Sequence, residues 1–500
     1  MNSSKRENLL NLALDATEEE RLQSLNLNVG YQEETDTWEV IVKYTGSLRK
    51  LEEIFPDIEV TELSNEYAVI RLPEALMDAV TDRTEIEYME KPKRLFFSVQ
   101  QGIRASCLTS LYTRKMGLGG TELSGKGVIT AFLDSGIDYR HPDFRKEDGS
   151  SRILAIWDQS IAGNPPAGFR LGTEYDRNII NDALQQEDIQ EGYRICPSRD
   201  LSGHGTHVAG IAAGNGRSSN GRNRGVAYES DLLVVKLGTP GKNSFPRTTE
   251  LMLGMDYILR KALELKQPVA VNISFGNTYG SHDGTSLLET YLSDMANYWK
   301  SVLVIGTGNE GSARGHTSGQ IVMGREQEVE FAVGEYEPAL SLQIWKSYAD
   351  IFSIRITHPN GKTVGIIRQL QGPQRFTIEG TQVLLYFGEP SPFSPFQEIY
   401  FDFLPVENYI DSGIYKITLI PEKIVTGAYN MWLPSLAVIG EATGFLYPTE
   451  ETTLTIPSTA YKVISVGAYD ARYNQVAAFS GRGFTRETNQ VKPDICAPGV

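Results

Sequence analysis

The chain has 500 residues, with 47 Lys and Arg against 63 Asp and Glu and a formal net charge of −16. Aromatic residues at 10% and an apolar fraction of 40% exclude a disordered polymer, and the acidic balance excludes a broad nucleic-acid or anionic-membrane footprint. The length predicts about two to four domains, and no apolar run approaches the ~18–20 residues of a membrane span.

The opening residues, MNSSKRENLLNLALDATEEERLQ, turn acidic after a short apolar stretch and do not read as a signal peptide. Residues 1–98 then carry the order βαββαβ. TWEVIVKYTG (37–46) alternates as a half-buried strand, and SLRKLEEIF (47–55) places Leu48, Leu51, Ile54 and Phe55 on one helical face. EVTELSNEYAVIRLP (59–73) holds two strands, PEALMDAVTDR (73–83) a helix and IEYMEK (86–91) a last strand. That order predicts a ferredoxin-like α+β unit. The charged KPKR (91–94) leads into an exposed connector near SVQQGIR (98–104).

Between 126 and about 311 short apolar strands alternate with helices. VITAFLDSG (128–136), DLLVVKLG (231–238), PVAVNISFG (268–276) and SVLVIGTGN (301–309) are the strands; 249–266 and 287–300 are the helices. The pattern predicts a parallel sheet covered on both faces. The polar stretch 157–200 reads as a surface excursion. Residues 312–455 break the rhythm with some eight short alternating runs punctuated by Gly, Pro and Asn, predicting an inserted β-sandwich or jelly roll. The α/β texture resumes at LTIPSTAYKVISVGAYD (454–470). Cys107, Cys196 and Cys496 are odd in number and widely spaced, which fits free thiols in a reducing compartment rather than a disulfide framework or zinc site.

Three polar constellations follow buried strands or open a helix, where a doubly wound sheet presents functional groups. Asp134 ends VITAFL in LDSGIDYRHPDF; His204 lies in SGHGTHVAGIAAG (202–214); Asn309 lies in GTGNEG (306–311). Taken singly, an Asp-Ser-Gly is commonly a turn, and a lone His or Asn is commonly structural. Together with NISFG (272–276) and KPDICAPG (492–499), the order Asp134, His204, Asn309 resembles the subtilisin (subtilase) family of serine endopeptidases. The resemblance covers 120–311 and 455–500. It implies an α/β fold, a subtilisin-like doubly wound parallel sheet, with an N-terminal ferredoxin-like propeptide domain and an inserted all-β jelly-roll domain. The expected divisions are 1–98, 99–311, 312–455 and 456–500.

The resemblance assigns roles residue by residue. Asp134 orients and stabilises the His204 imidazole, and His204 is the general base and acid for a serine nucleophile. Asn309 donates to the oxyanion. Ser274, Phe275 and Gly276 form the edge that pairs with an extended substrate. Thr206 and His207 match the motif as structural residues, and the other histidines carry no comparable context. The implied partners are a protein or peptide substrate and the chain's own propeptide held in the cleft, with no nucleic acid and no membrane span.

The family's nucleophile stands in a Gly-Thr-Ser string some twenty residues past the Ala-Pro-Gly turn. Here that turn is followed by Val500, so the 500 residues read as a fragment, itself inactive because loss of the serine costs ~10⁶ in turnover. Gly284-Thr285-Ser286 precedes Asn309 and does not replace it. Two alternatives are a pseudoprotease with a sensing or scaffolding role, and a binding module built on the β-insert. Asp143 matches a position that ligates calcium in some relatives, but 215–225 is basic and lacks the carboxylates such a site prefers, so no cofactor is expected. The insert, the propeptide-like module and the missing signal sequence resemble the Csp-type spore-germination proteases. That implies a cytoplasmic or spore-associated location and self-processing around Ser98 to Arg104.

Overall fold

A computed structural model describes residues 3–97, 123–240, 245–298, 300–486 and 490–500. The connector around Ser98 to Arg104, with its expected processing bond, lies outside the described residues, as does Cys107.

The α/β expectation is met by a nine-stranded sheet. Its spatial order runs Ile464–Asp470, Ser301–Gly306, Val269–Ile273, Ile129–Asp134, Asp231–Lys236, Ile153–Asp158, all parallel. Ile495–Pro498 adds in parallel to Ile464–Asp470, and Thr173–Asp176 closes the other edge antiparallel. Ile129–Asp134 is the first of these strands in sequence yet lies centrally, with later strands on either side. Its carboxyl end is therefore a topological switch point, where side chains open to a crevice rather than to a covering helix. Every residue of Ile129–Asp134 is buried, as expected for a strand covered on both faces.

Two expectations need correction. Ile153–Asp158 is a full member of the sheet, hidden in the sequence by its polar neighbours. The 157–200 stretch is not merely a surface excursion: it supplies Thr173–Asp176 and the helices Arg177–Gln185 and Ile189–Ile195. Tyr175, Ile180, Ala183 and Cys196 join Phe132, Tyr139 and Val234 in one apolar cluster.

The N-terminal module has four main strands, Thr37–Tyr44, Glu59–Leu63, Tyr67–Pro73 and Ile86–Glu90, in antiparallel ferredoxin-like order. Its helices are shorter than the periodicity suggests, Leu51–Ile54 and Met77–Thr81, and Ile54 is exposed rather than packed. Thr37–Tyr44 is buried on both faces, not half-buried. Trp38, Val40 and Val42 pack under the module's own helices, while Ile41, with Tyr67 and Val69, packs on Leu251, Leu287 and Tyr291 of the helices Thr248–Leu265 and Leu287–Met295. A strand made to dock on a second body has no solvent face, which a period-2 reading cannot anticipate.

Residues 316–445 form two antiparallel sheets, six-stranded and five-stranded, packed face to face. Phe331, Leu342, Ile344, Phe401, Phe403, Tyr415 and Ile417 fill the space between them. The N-terminal module also touches this sandwich: Asn8 and Glu389 exchange hydrogen bonds of 3.2 and 2.9 Å, Ser24 donates to Asp402, and Arg375 pairs with Glu20. Among the described residues no helix is long and apolar enough to cross a membrane.

This junction should be sensitive to alkali. Glu398 accepts from the Tyr279 hydroxyl at 2.8 Å, and burial pushes its pKa from 4.5 up to about 8. Burial likewise pushes Asp402 up to about 7. A carboxyl whose pKa rises on folding favours the fold while protonated, so its contribution is full below the ordinary pKa and lost as pH climbs through the raised one. The thermal midpoint is expected to fall between pH 5 and pH 9, and Glu398→Gln to flatten that slope. An unchanged slope in the variant would remove Glu398 from the account.

Candidate active site

Asp134 is fully buried, and its Oδ1 lies 2.6 Å from His204 Nδ1. Oδ1 also accepts from the Ser135 backbone N–H at 2.7 Å. His204 is the first residue of the helix His204–Ala213. That helix comes close to the strand end because residue 205 is glycine: a Cβ there would lie 2.1 Å from the Gly136 carbonyl oxygen and 3.1 Å from Asp134 Oδ1. Gly205 is thus a packing requirement, while Gly203 supplies the left-handed backbone (φ 77°) at the helix N-cap, and the two together bring the imidazole onto the buried carboxylate. Among the described residues, His204 Nε2 and Asp134 Oδ2 are buried without a hydrogen-bond partner.

Asp200 organises the approach to this pair, and sequence reasoning passed over it inside a polar stretch. Its carboxylate accepts from the Ser135 hydroxyl (2.8 Å), the Gly203 N–H (3.0 Å), the Thr206 N–H (2.8 Å) and the Thr206 hydroxyl (2.7 Å). Ser135 Oγ in turn accepts from the Gly205 N–H at 2.9 Å. Burial alone would raise the Asp200 pKa, but hydrogen bonds from Thr206, Ser135 and Gly203 outweigh it and hold the carboxyl below its usual range. Asp200→Asn turns one acceptor oxygen into an NH₂ facing N–H and O–H donors. For any proton transfer through His204 it is expected to lower kcat about 10- to 100-fold with little change in KM, by moving the imidazole. A loss of thermal stability with kcat unchanged would show Asp200 to be scaffold only.

Asn309 follows Ser301–Gly306 and lines a cavity of about 310 Å³ with Asn272, Ser274, Gly308, Pro498 and Gly499. Ser274 Oγ lies 2.7 Å from Asn272 Nδ2, which donates to it. Phe275 and Gly276 form a short strand whose partner is the chain itself: Phe97 pairs with Phe275 and Phe96 with Gly276, antiparallel. The Phe97 ring lies 4.5 Å from the His204 ring and 4.8 Å from that of Phe275. The end of the N-terminal module therefore lies across the Asp134–His204 pair. Ser286 caps the helix Leu287–Met295, sharing its hydroxyl with Glu289.

Both Asp143 oxygens accept from Ser218, at 2.7 Å from its N–H and 3.0 Å from its hydroxyl. Among the described residues no group of three or more His, Cys, Asp or Glu gathers as a metal site would require. Next to Asp143 the positive charge comes from the chain. The buried Arg152 guanidinium donates to the carbonyls of Asp143 (3.1 Å), Ala213 (2.7 Å), Ala227 (3.3 Å) and Ser230 (2.8 Å). Burial lowers its pKa to about 10, so it stays a cation at neutral pH. Cys196 is buried and Cys496 exposed, both free.

Residues 125–347 and 446–500 match the profile described as Subtilase family. The chain belongs to the subtilase family. Residues 4–93 of this subtilase match the profile of the Csp protease B prodomain. Its fold is similar to the structure of the CspB protease of Clostridium perfringens, with a TM-score of 0.70 and 35% identity over 79% of this chain and 78% of that one. The Minor extracellular protease Vpr of Bacillus subtilis (strain 168) is 24% identical over 394 residues, 75% of this chain and 41% of Vpr. The Major intracellular serine protease of the same organism is 30% identical over 190 residues, 38% of this chain and 45% of that protein. This subtilase thus spans less than half the length of those two relatives.

Proposed function

We propose that the full-length protein is a serine endopeptidase, with Asp134 and His204 as the acid–base pair. The observation that carries this reading is the 2.6 Å contact between His204 Nδ1 and a fully buried Asp134 oxygen. A carboxylate there fixes the tautomer that leaves Nε2 free to take a proton from a serine hydroxyl, then return it to the leaving amine. Asn309 would donate its side-chain N–H to the oxyanion, a contribution of about 3 kcal/mol in this class of site. Phe275 and Gly276, with Ser274, would hold the substrate backbone as an added strand.

Residues 1–98 serve as an inhibitory prodomain in this reading. Its last two described residues already occupy the edge that a substrate would use, and Phe97 covers the His204 ring. Processing would fall in the connector after them.

A fluorophosphonate probe tests this reading. It should label the full-length protein, and labelling should disappear in His204→Ala. Equal labelling of both proteins, or none of either, would sink it.

A further inference from the structure

The geometry points to a cleft that selects two consecutive aromatic side chains on the N-terminal side of the bond it cuts; the inference rests on the protease reading and adds its substrate class. Backbone pairing along Phe275–Gly276 is blind to sequence, so selectivity must come from the walls that side chains meet. Successive residues of a strand point to opposite faces, and the two faces here meet two different aromatic walls. Phe97 faces the His204 and Phe275 rings, at 4.5 and 4.8 Å with interplanar angles of 47° and 32°. Phe96 meets the Phe245 ring edge-on at 4.8 Å and 65°.

The walls differ in kind. Phe275 belongs to the same buried apolar cluster as Ile273 and Leu287, so the inner wall is anchored in the core. Phe245 stands at the rim, before the helix Thr248–Leu265, and is 41% exposed. The inner position therefore demands a flat apolar ring, whose face also keeps water from the imidazole. A lysine or arginine there would set a second cation beside the imidazolium formed in the reaction. The rim position takes an aromatic edge and tolerates more variety. The fitting substrate is an extended peptide segment with adjacent aromatic residues.

Two measurements decide this, one independent of catalysis. Quenched peptides carrying Phe-Phe, Phe-Ala, Ala-Phe and Ala-Ala at these positions are compared on the full-length protein. Alanine at the inner position should lower kcat/KM roughly 10- to 100-fold, alanine at the rim less, and Phe245→Ala should erase the rim preference alone. Amide hydrogen exchange is then followed in the paired segments of this chain. Phe97→Ala should speed exchange there about tenfold or more, and Phe97→Tyr should restore the slow rate. Equal kcat/KM across the peptides, or exchange unchanged in Phe97→Ala, overturns the inference. Fluorophosphonate labelling that persists alongside such results leaves the protease reading standing, whereas absent labelling removes that reading while exchange still judges the aromatic site.

Discussion

Asp134→Asn is expected to lower kcat of the full-length protein by about 10⁴ at neutral pH while leaving the fold intact. Two features set the size of the effect. Asp134 is fully buried and its Oδ1 lies 2.6 Å from His204 Nδ1. The same oxygen accepts from the Ser135 N–H at 2.7 Å, so the asparagine carbonyl is held where the carboxylate oxygen was. The variant fills the same volume and keeps one acceptor, but has no charge to stabilise an imidazolium and presents an amide N–H to one side of the ring. With the carbonyl held, Nδ1–H keeps its acceptor, so the loss falls on the missing charge: nothing stabilises the imidazolium that forms as His204 takes the serine proton. Steady-state kinetics with circular dichroism as a control for folding measures this. A loss under about tenfold would show that His204 needs no carboxylate.

Arg152→Ala is expected to cost about 3–5 kcal/mol of stability. The guanidinium is 5% exposed and satisfies carbonyls from four separate places. These are the turn at Asp143, the last residue of the His204 helix, and two points on the way into Asp231–Lys236. Removing it leaves several buried acceptors unpaired at once, each costing about 1–3 kcal/mol before relaxation and water entry offset part of the loss. Arg152→Lys should recover only part, because an ammonium on one stem cannot reproduce the planar fork. Urea denaturation of the three proteins measures the difference. A loss below about 1 kcal/mol in Arg152→Ala would show that water replaces the guanidinium at little cost.

What could be read from the sequence was whatever local chemistry dictates. A continuous apolar strand ending in Asp-Ser-Gly and a helix opening on Gly-His-Gly are local patterns, each commonplace alone; their order with Asn309, and its resemblance to the subtilases, singled out Asp134 and His204. The alternating runs between 312 and 455 announced a sandwich because each strand's inner face repeats every second residue. Arg152 could not be found this way: its partners lie up to 78 positions away and are backbone carbonyls, which no residue type advertises. Asp200 was concealed for a related reason, since its donors are turn N–H groups and small hydroxyls. Phe96 and Phe97 are too few to show a period, and their meaning lies wholly in the edge they pair with.

If the connector is cut, as the protease reading proposes, the placement of the N-terminal module between two bodies decides what the cut achieves. The module meets the parallel-sheet helices through Tyr67 and Val69 and the sandwich through Asn8 and Glu20. Departure requires both surfaces to open together, and whichever surface stays closed holds the other at a high effective concentration. Scission alone therefore changes connectivity without changing occupancy. Freeing the cleft becomes a question of dissociation rate, set by whatever loosens the second grip.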